Sequence, residues 1–247
     1  MEWGYELLSP DSRQLFDALS VFRGTWSAAD VDAICATNGE TLERLAVLRD
    51  ASLIRTDEGM AEMRFSQLET LRVFADERLD PQRRSTLELR HAEYFLAQAD
   101  AAYKASRGPQ QQAAFDRQEE ELPNLRIALE RFASAPLGLQ LAGTLALFWK
   151  IHGHYQEGLY WLERVLAAAP TEPEKPLGIA WNAVGMLSED RADYAAATDA
   201  YTRSRDIFQQ IGHENGVVIT TQNLGNIAYR QGDLPQARAL YAQTLEG

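Results

Sequence analysis

Leu224-Gly225-Asn226-Ile227-Ala228-Tyr229, then Gly232-Asp233, then Leu234-Pro235-Gln236-Ala237 running on through Tyr241: this stretch decides how the chain is read. The first segment gives an apolar helix face with one small residue. Gly232-Asp233 interrupts it, and Pro235 sits in the first turn of a second helix, where its missing N–H costs nothing. Gly225 and Ala237 put one small residue in each helix, which lets two backbones approach, while Leu224 and Tyr241 fill the space around that contact. Residues 217–245 therefore read as a helical hairpin, and the first question about such a unit is whether it recurs.

It recurs upstream. Trp181, Val184, Gly185, Tyr194, Ala197 and Tyr201 repeat the arrangement, with Gly185 forty residues before Gly225 and Ala197 forty before Ala237. A fainter copy is made by Ala146, Tyr155, Gly158 and Leu162, each thirty-nine residues before its counterpart. The pattern resembles tetratricopeptide repeats, clearly over 178–246 and more faintly over 139–177. Its spacing exceeds the usual 34, so loops or helices should be slightly longer. About three hairpins are expected over 136–247. No polar capping helix follows Leu245, so the sequence predicts an internal unit of a longer solenoid, with Thr244-Leu245-Glu246-Gly247 an abrupt stop.

A chain of 247 residues with 45% apolar and 24% charged residues is ordinary for a globular protein and long enough for one large or two small domains. The formal net charge of −12, from 24 basic and 36 acidic residues, disfavours nucleic acid and anionic membrane as partners. Cys35 stands alone, which rules out an internal disulfide and fits a reducing cytoplasm. The first residues lack the basic and apolar regions of a signal peptide. The longest apolar run, Leu137 to Trp149, is too short to span a bilayer. A cytoplasmic protein is expected.

Residues 1–80 read as short helices followed by a two-stranded hairpin. Ser9-Pro10-Asp11 starts a helix with Leu15, Phe16 and Leu19 inward; Ser27 caps a second, carrying Val31 and Ile34, that ends at Asn38-Gly39. Thr41 opens a third. Ser52 to Thr56 reads as a strand, Asp57-Glu58-Gly59 as a turn and Glu62 to Phe65 as the return strand. A helix through Leu71, Phe74 and Leu79 stops at Asp80-Pro81. Helices followed by such a wing describe a winged helix. Residues 81–135 read as a helical adaptor, with Tyr94, Phe95 and Ala99 on one face and Leu122, Leu125, Ala128, Leu129 and Phe132 on another. Ser106-Arg107-Gly108-Pro109 breaks between them. The fold class expected is mainly α: a winged helix with a small two-stranded wing, then an α-solenoid of tetratricopeptide-like hairpins.

Leu19-Ser20-Val21-Phe22, Asp50-Ala51-Ser52-Leu53-Ile54, Leu68 to Ala75 and Arg90-His91-Ala92-Glu93-Tyr94-Phe95-Leu96, together with Glu121-Leu122-Pro123-Asn124-Leu125-Arg126, carry a wider resemblance. The chain resembles the region that follows the nucleotide-binding domain in bacterial signal-transducing NTPases with tetratricopeptide repeats, relatives of the NB-ARC regulators. The resemblance implies a regulatory, partner-binding arm, with a nucleotide-binding domain as a partner for the winged helix. The phosphate-binding loop of that family is missing: none of Lys104, Lys150 and Lys175 follows a glycine, so no nucleotide hydrolysis is expected of this chain and no cofactor. At the place of the family's Met-His-Asp motif stands Gln67-Leu68-Glu69. Leu68 cannot donate to a phosphate, and Glu69 is expected to cap or ion-pair the helix that follows.

No catalytic set emerges. His152 and His154 are two apart and only Glu157 is near enough to join them, which leaves a metal site incomplete. Cys35 reads as an inert buried thiol, and Glu119-Glu120-Glu121 as a solvated helix face. The helix in the DNA-recognition place, Thr41 to Asp50, carries Glu43, Arg44, Arg49 and Asp50, a balanced set. Up to Arg90 there are 11 arginines against 17 acids, so a protein-contact role is favoured over direct DNA binding. In the repeats, placing Gly185 and Gly225 at equivalent positions predicts a partner-binding groove. It is formed by Leu147 and Lys150, by Asn182, Met186 and Glu189, and by Gln222, Asn226 and Tyr229. The occupant expected is a protein or peptide. Small-molecule sensing and self-association are the alternatives, and neither the partner nor the oligomeric state is legible.

Overall fold

The computed structural model describes residues 2–37, 39–57, 63–106 and 108–245. It divides into two compact units, Met1–Arg131 and Phe132–Gly247. The chain is mainly helical with one small sheet, followed by tetratricopeptide-like hairpins.

The first unit opens with α1 (Glu2–Glu6) and α2 (Pro10–Ala18). Ser9 caps α2, its hydroxyl accepting the Ser12 N–H at 3.2 Å, with proline in the first turn as the sequence requires. Strand β1 (Thr25–Ser27) leads directly into α3 (Ala28–Cys35). Ser27 and Asp30 close a reciprocal capping box at that junction. Then come α4 (Thr41–Asp50), β2 (Arg55–Asp57), β3 (Arg64–Ser66) and α5 (Glu69–Arg78).

The expected two-stranded wing is a three-stranded antiparallel sheet in the order β1-β3-β2. β3 lies in the middle, with Trp26 and Thr56 opposite Phe65. Thr25-Trp26-Ser27 was not legible as a strand because three residues show no alternation; only pairing with Arg64-Phe65-Ser66 makes them one. Strand β2 is shorter than the expected Ser52–Thr56. Ser52 takes a left-handed φ of 59°, which belongs to a turn. The hairpin tip and the start of the return strand fall at 58–62, outside the described residues, as do Asn38 of the expected helix stop and Arg107 of the expected break.

Asp80 caps the long α6 (Pro81–Ala105), accepting N–H bonds from Gln82 and Arg83. Two shorter helices follow, α7 (Gln111–Glu120) and α8 (Leu122–Phe132). The unit's core is built by Phe16, Leu19, Phe22, Trp26, Ile34, Leu45, Leu48 and Phe95, all fully buried.

The second unit is three helical hairpins: α9 (Pro136–His152) with α10 (Tyr155–Ala167), α11 (Lys175–Asp190) with α12 (Tyr194–Gln210), and α13 (Glu214–Arg230) with α14 (Leu234–Gln243). Each hairpin turns on a left-handed residue, Gly153 (φ 73°), Ala192 (φ 60°) and Gly232 (φ 82°). Asp193 and Asp233 then cap the returning helices, accepting from Ala196 and Gln236 at 3.1 and 3.0 Å. The small residues serve a different purpose from simple backbone approach. A Cβ on Gly185 would lie 2.5 Å from the Tyr201 ring, and one on Gly225 2.7 Å from the Tyr241 ring. Each glycine is a seat for the tyrosine of its own hairpin. Tyr201, fully buried, then packs with Ala197, Leu224 and Ile227, which ties the second hairpin to the third.

Candidate functional site

The eight residues expected to line a groove lie on the first helices of the three hairpins, and the structure separates them by what they touch. Gln222 and Tyr229 are exposed, Tyr229 by 63%. Leu147 and Met186 are half-buried. The other four are engaged within the repeats. Lys150 Nζ reaches Asp190 at 3.2 Å, Arg230 Nε reaches Glu189 at 3.0 Å, and Asn223 donates its amide to Asn182 Oδ1 at 3.0 Å. Asn226 Oδ1 accepts the Tyr241 hydroxyl at 2.8 Å. The Tyr201 hydroxyl likewise donates to Glu189 at 3.0 Å, and burial together with that carboxylate raises the phenol well above its usual value.

Three rungs thus cross from one hairpin to the next: Lys150–Asp190, Glu189–Arg230 and Asn182–Asn223. Asp190, Arg230 and Asn223 were missed from sequence. The signal was present, as complementary side chains about one repeat apart. The Lys150 and Arg230 side chains remain 37% and 55% exposed, so each ion pair contributes at most about 1 kcal/mol.

The second polar constellation lies inside the first unit, and one of its members overturns an expectation. Glu121 does not belong to a solvated face. It is buried, its Oε1 2.6 Å from Arg64 Nη2 on β3, and Arg64 is itself only 2% exposed. Arg64 also donates to the Thr25 hydroxyl and carbonyl at 2.9 and 3.1 Å. Asn124 gives its amide to Glu121 and to the Thr25 carbonyl, and accepts the Arg23 N–H at 2.8 Å. His91 Nε2 lies 3.3 Å from the same oxygen. Burial raises the Glu121 carboxyl above its usual range, with nearby Asp30 adding to the effect. Burial, with Arg131 nearby, lowers His91 to about 3, so the ring is neutral.

Pro123 seats against Gly24, whose φ is +66° and whose missing Cβ would fall 2.9 Å from the ring. The Glu121-Leu122-Pro123-Asn124 segment is therefore the piece that fastens α8 to β1 and β3. Its carboxylate, amide and guanidinium groups are hydrogen-bonded to one another, which makes a structural latch.

Burial pushes the Cys35 thiol up to about 12, so it is not a thiolate at neutral pH. The His152 and His154 rings stack at 6.2 Å, and among the described residues no group of three metal-ligating side chains gathers. Glu69 opens α5 and pairs with Arg72 at 2.8 Å, which lowers its carboxyl, while Leu68 is partly exposed beside it. On α4 both arginines are taken: Arg44 by Glu40 at 2.6 Å and Arg49 by Asp50 at 2.8 Å. The same helix exposes Leu42 and Val47. No helix among the described residues is long and apolar enough to cross a membrane.

Comparison with known proteins agrees with the repeat geometry. Residues 176–247 match the family model described as tetratricopeptide repeat. A Mycobacterium tuberculosis protein carrying the name HTH-type transcriptional regulator Rv0890c is 31% identical over 173 residues, 67% of this chain and 20% of that protein. The chain thus spans about a fifth of the relative's length. Among solved structures, BtubC from P. vanneervenii superposes over 97% of this chain and 91% of its own, with a TM-score of 0.52 and 17% identity. A signal-transduction ATPase with a tetratricopeptide repeat sensor, PH0952 from Pyrococcus horikoshii, gives a TM-score of 0.42 at 13% identity, covering 98% of this chain and 45% of that one.

Proposed function

We propose that this chain is the non-catalytic, partner-binding arm of a signal-transducing NTPase or transcriptional regulator, working in the cytoplasm. In this reading the face built by α9, α11 and α13 takes a protein or peptide segment, and residues 1–80 act as a winged helix that contacts protein. The observation that carries it is the row of accessible side chains on consecutive first helices, Leu147, Met186, Gln222 and Tyr229. Tetratricopeptide arrays commonly present partners on the surface made by those helices.

For the winged helix, the paired arginines of α4 argue for a protein contact. Cations already neutralised by carboxylates release few counterions on meeting phosphate. Its exposed Leu42 and Val47, and an open cleft of about 710 Å³ lined by Leu7, Val47, Leu53, Leu68 and Leu71, suit an apolar partner surface. A nucleotide-binding domain is the partner that the family resemblance suggests for it.

The test is affinity capture with identification of the bound protein, repeated with Gln222→Ala/Tyr229→Ala. Both side chains are exposed, so the variant should keep its melting temperature and lose about tenfold in affinity. Undiminished capture would remove the repeat face from the reading. DNA binding through the winged helix is the second reading, favoured by the transcriptional-regulator name of the relative. A low-salt mobility shift showing sequence-specific binding would establish it over the protein-contact role.

A further inference from the structure

The first helices of the hairpins share a property that the second helices lack. No Asp, Glu, Lys or Arg occurs from Pro136 to Trp149 on α9, from Pro176 to Ser188 on α11, or from Asn215 to Tyr229 on α13. By contrast α12 alone carries Asp199, Arg203, Arg205 and Asp206. Charge on the first helices is confined to their ends, at Lys175 and Glu214 where they start and at Lys150, Glu189, Asp190 and Arg230 where they finish. The four terminal charges are spent on one another across the hairpins, as Lys150–Asp190 and Glu189–Arg230. A partner approaching this face meets neutral amides, aliphatic groups and the exposed Tyr229 ring, bounded at one end by ion pairs that already hold their counter-charges.

The amides keep unused capacity. Asn182 spends its oxygen on Asn223, so the N–H donors of Asn182 and the oxygen of Asn223 belong to two side chains already in contact. A donor and an acceptor adjacent in this way match the C=O and N–H of one residue in an extended chain. Ile179 and Ile219, 37% and 42% exposed, lie one helical turn before Asn182 and Asn223 and offer aliphatic contact alongside.

We infer that the face built by α9, α11 and α13 selects an extended, uncharged peptide segment with aliphatic side chains. Asn182 and Asn223 read its main chain, and the ion-paired rungs act as struts between hairpins that make no contact with the partner. The inference rests on the peptide-binding reading above and adds the chemistry of what is bound. Specificity of this kind comes from an uncompensated cost: a charged peptide would lose its hydration here and meet no free counter-charge.

The test uses three synthetic pools of acetylated, amidated octapeptides, one acidic, one basic and one neutral and aliphatic-rich. Their binding to the whole chain is followed by fluorescence polarisation. The neutral pool should bind, and its affinity should change less than about twofold between low salt and about 0.5 M NaCl. Asn182→Ala/Asn223→Ala should weaken it about tenfold with the melting temperature held. The exchange Lys150→Asp/Asp190→Lys, which preserves the strut with reversed polarity, should leave it within about twofold. Preference for either charged pool, steep salt dependence, or loss of binding in the exchanged pair at unchanged melting temperature would overturn the inference while leaving peptide binding in place. Binding by none of the three pools would overturn the peptide-binding reading and this inference with it.

Discussion

The two units of this chain are held together by opposite means. Residues 1–131 converge on a buried polar latch, Arg64, Glu121, Asn124 and His91, whose members come from one strand, two helices and the junction between α7 and α8. Residues 132–247 bury no charged side chain among the described residues and interlock by shape, a glycine on one helix receiving an aromatic ring from the next. A polar latch demands that every partner be present, because a charge left alone in the interior is costly. Shape interlock is local, and it can be copied hairpin after hairpin at one spacing. The first arrangement specifies a single assembly, and the second specifies a repeat.

Breaking the latch should have the largest effect. Arg64→Met leaves Glu121 buried without its cation and should cost about 3–5 kcal/mol in urea unfolding, confined to the transition of the first unit. Arg64→Met/Glu121→Leu should recover most of that loss, since an apolar pair of similar volume tolerates the same site. Equal losses in the single and double variants would mean that the pair contributes as packing alone.

The pH dependence should separate the units next. His91 titrates near 6.5 when unfolded and near 3 when folded, so below pH 6.5 the unfolded chain binds a proton that the folded chain refuses. Stability of the first unit is full above that value and falls as the pH drops from 6.5 toward 3. Glu121, raised in the fold, works in the opposite sense over its own range. His91→Phe should flatten the acid slope of the first unit and leave that of the repeats unchanged, read by calorimetry across this window.

In the repeats the sharpest probe is the glycine seat. Gly185→Ala places a Cβ 2.5 Å from the fully buried Tyr201 ring and should cost about 1–3 kcal/mol. Combining it with Tyr201→Leu should cost less than the two separate losses added together, and strict additivity would refute the seat. The smallest effect expected is a gain. Ala192 occupies the left-handed turn position that glycine fills in the neighbouring hairpins, so Ala192→Gly should stabilise by about 0.5–1 kcal/mol. A thermal melt checks it.

Much of the second unit was readable because its determinants are local and recur. The small residues Gly185 and Gly225, and Ala197 and Ala237, repeat at one interval, so each copy corroborates the others. What the glycines receive is only half visible in the sequence, which shows Tyr241 as a filler around a backbone contact, whereas its ring and that of Tyr201 occupy the seats. Helix periodicity places the eight residues expected to line a groove on the first helices, but the rungs that engage Lys150, Asn182 and Glu189 depend on which side chain of the next hairpin comes opposite.

The sequence by itself determined the helical class, the hairpin repeat with its interval, the helix starts at Ser9 and Ser27 through their caps, and the lack of a phosphate-binding loop in this chain. Each of these is written in residues close together or at a fixed period. Tertiary structure alone decided that Thr25-Trp26-Ser27 is a strand, that Glu121 is a buried ligand of Arg64 fifty-seven residues away, and that the charges ending the first helices are already paired. The physical reason is common to all three. A short strand, a buried carboxylate and a solvated one have the same local sequence, and only the partner brought in from far along the chain tells them apart.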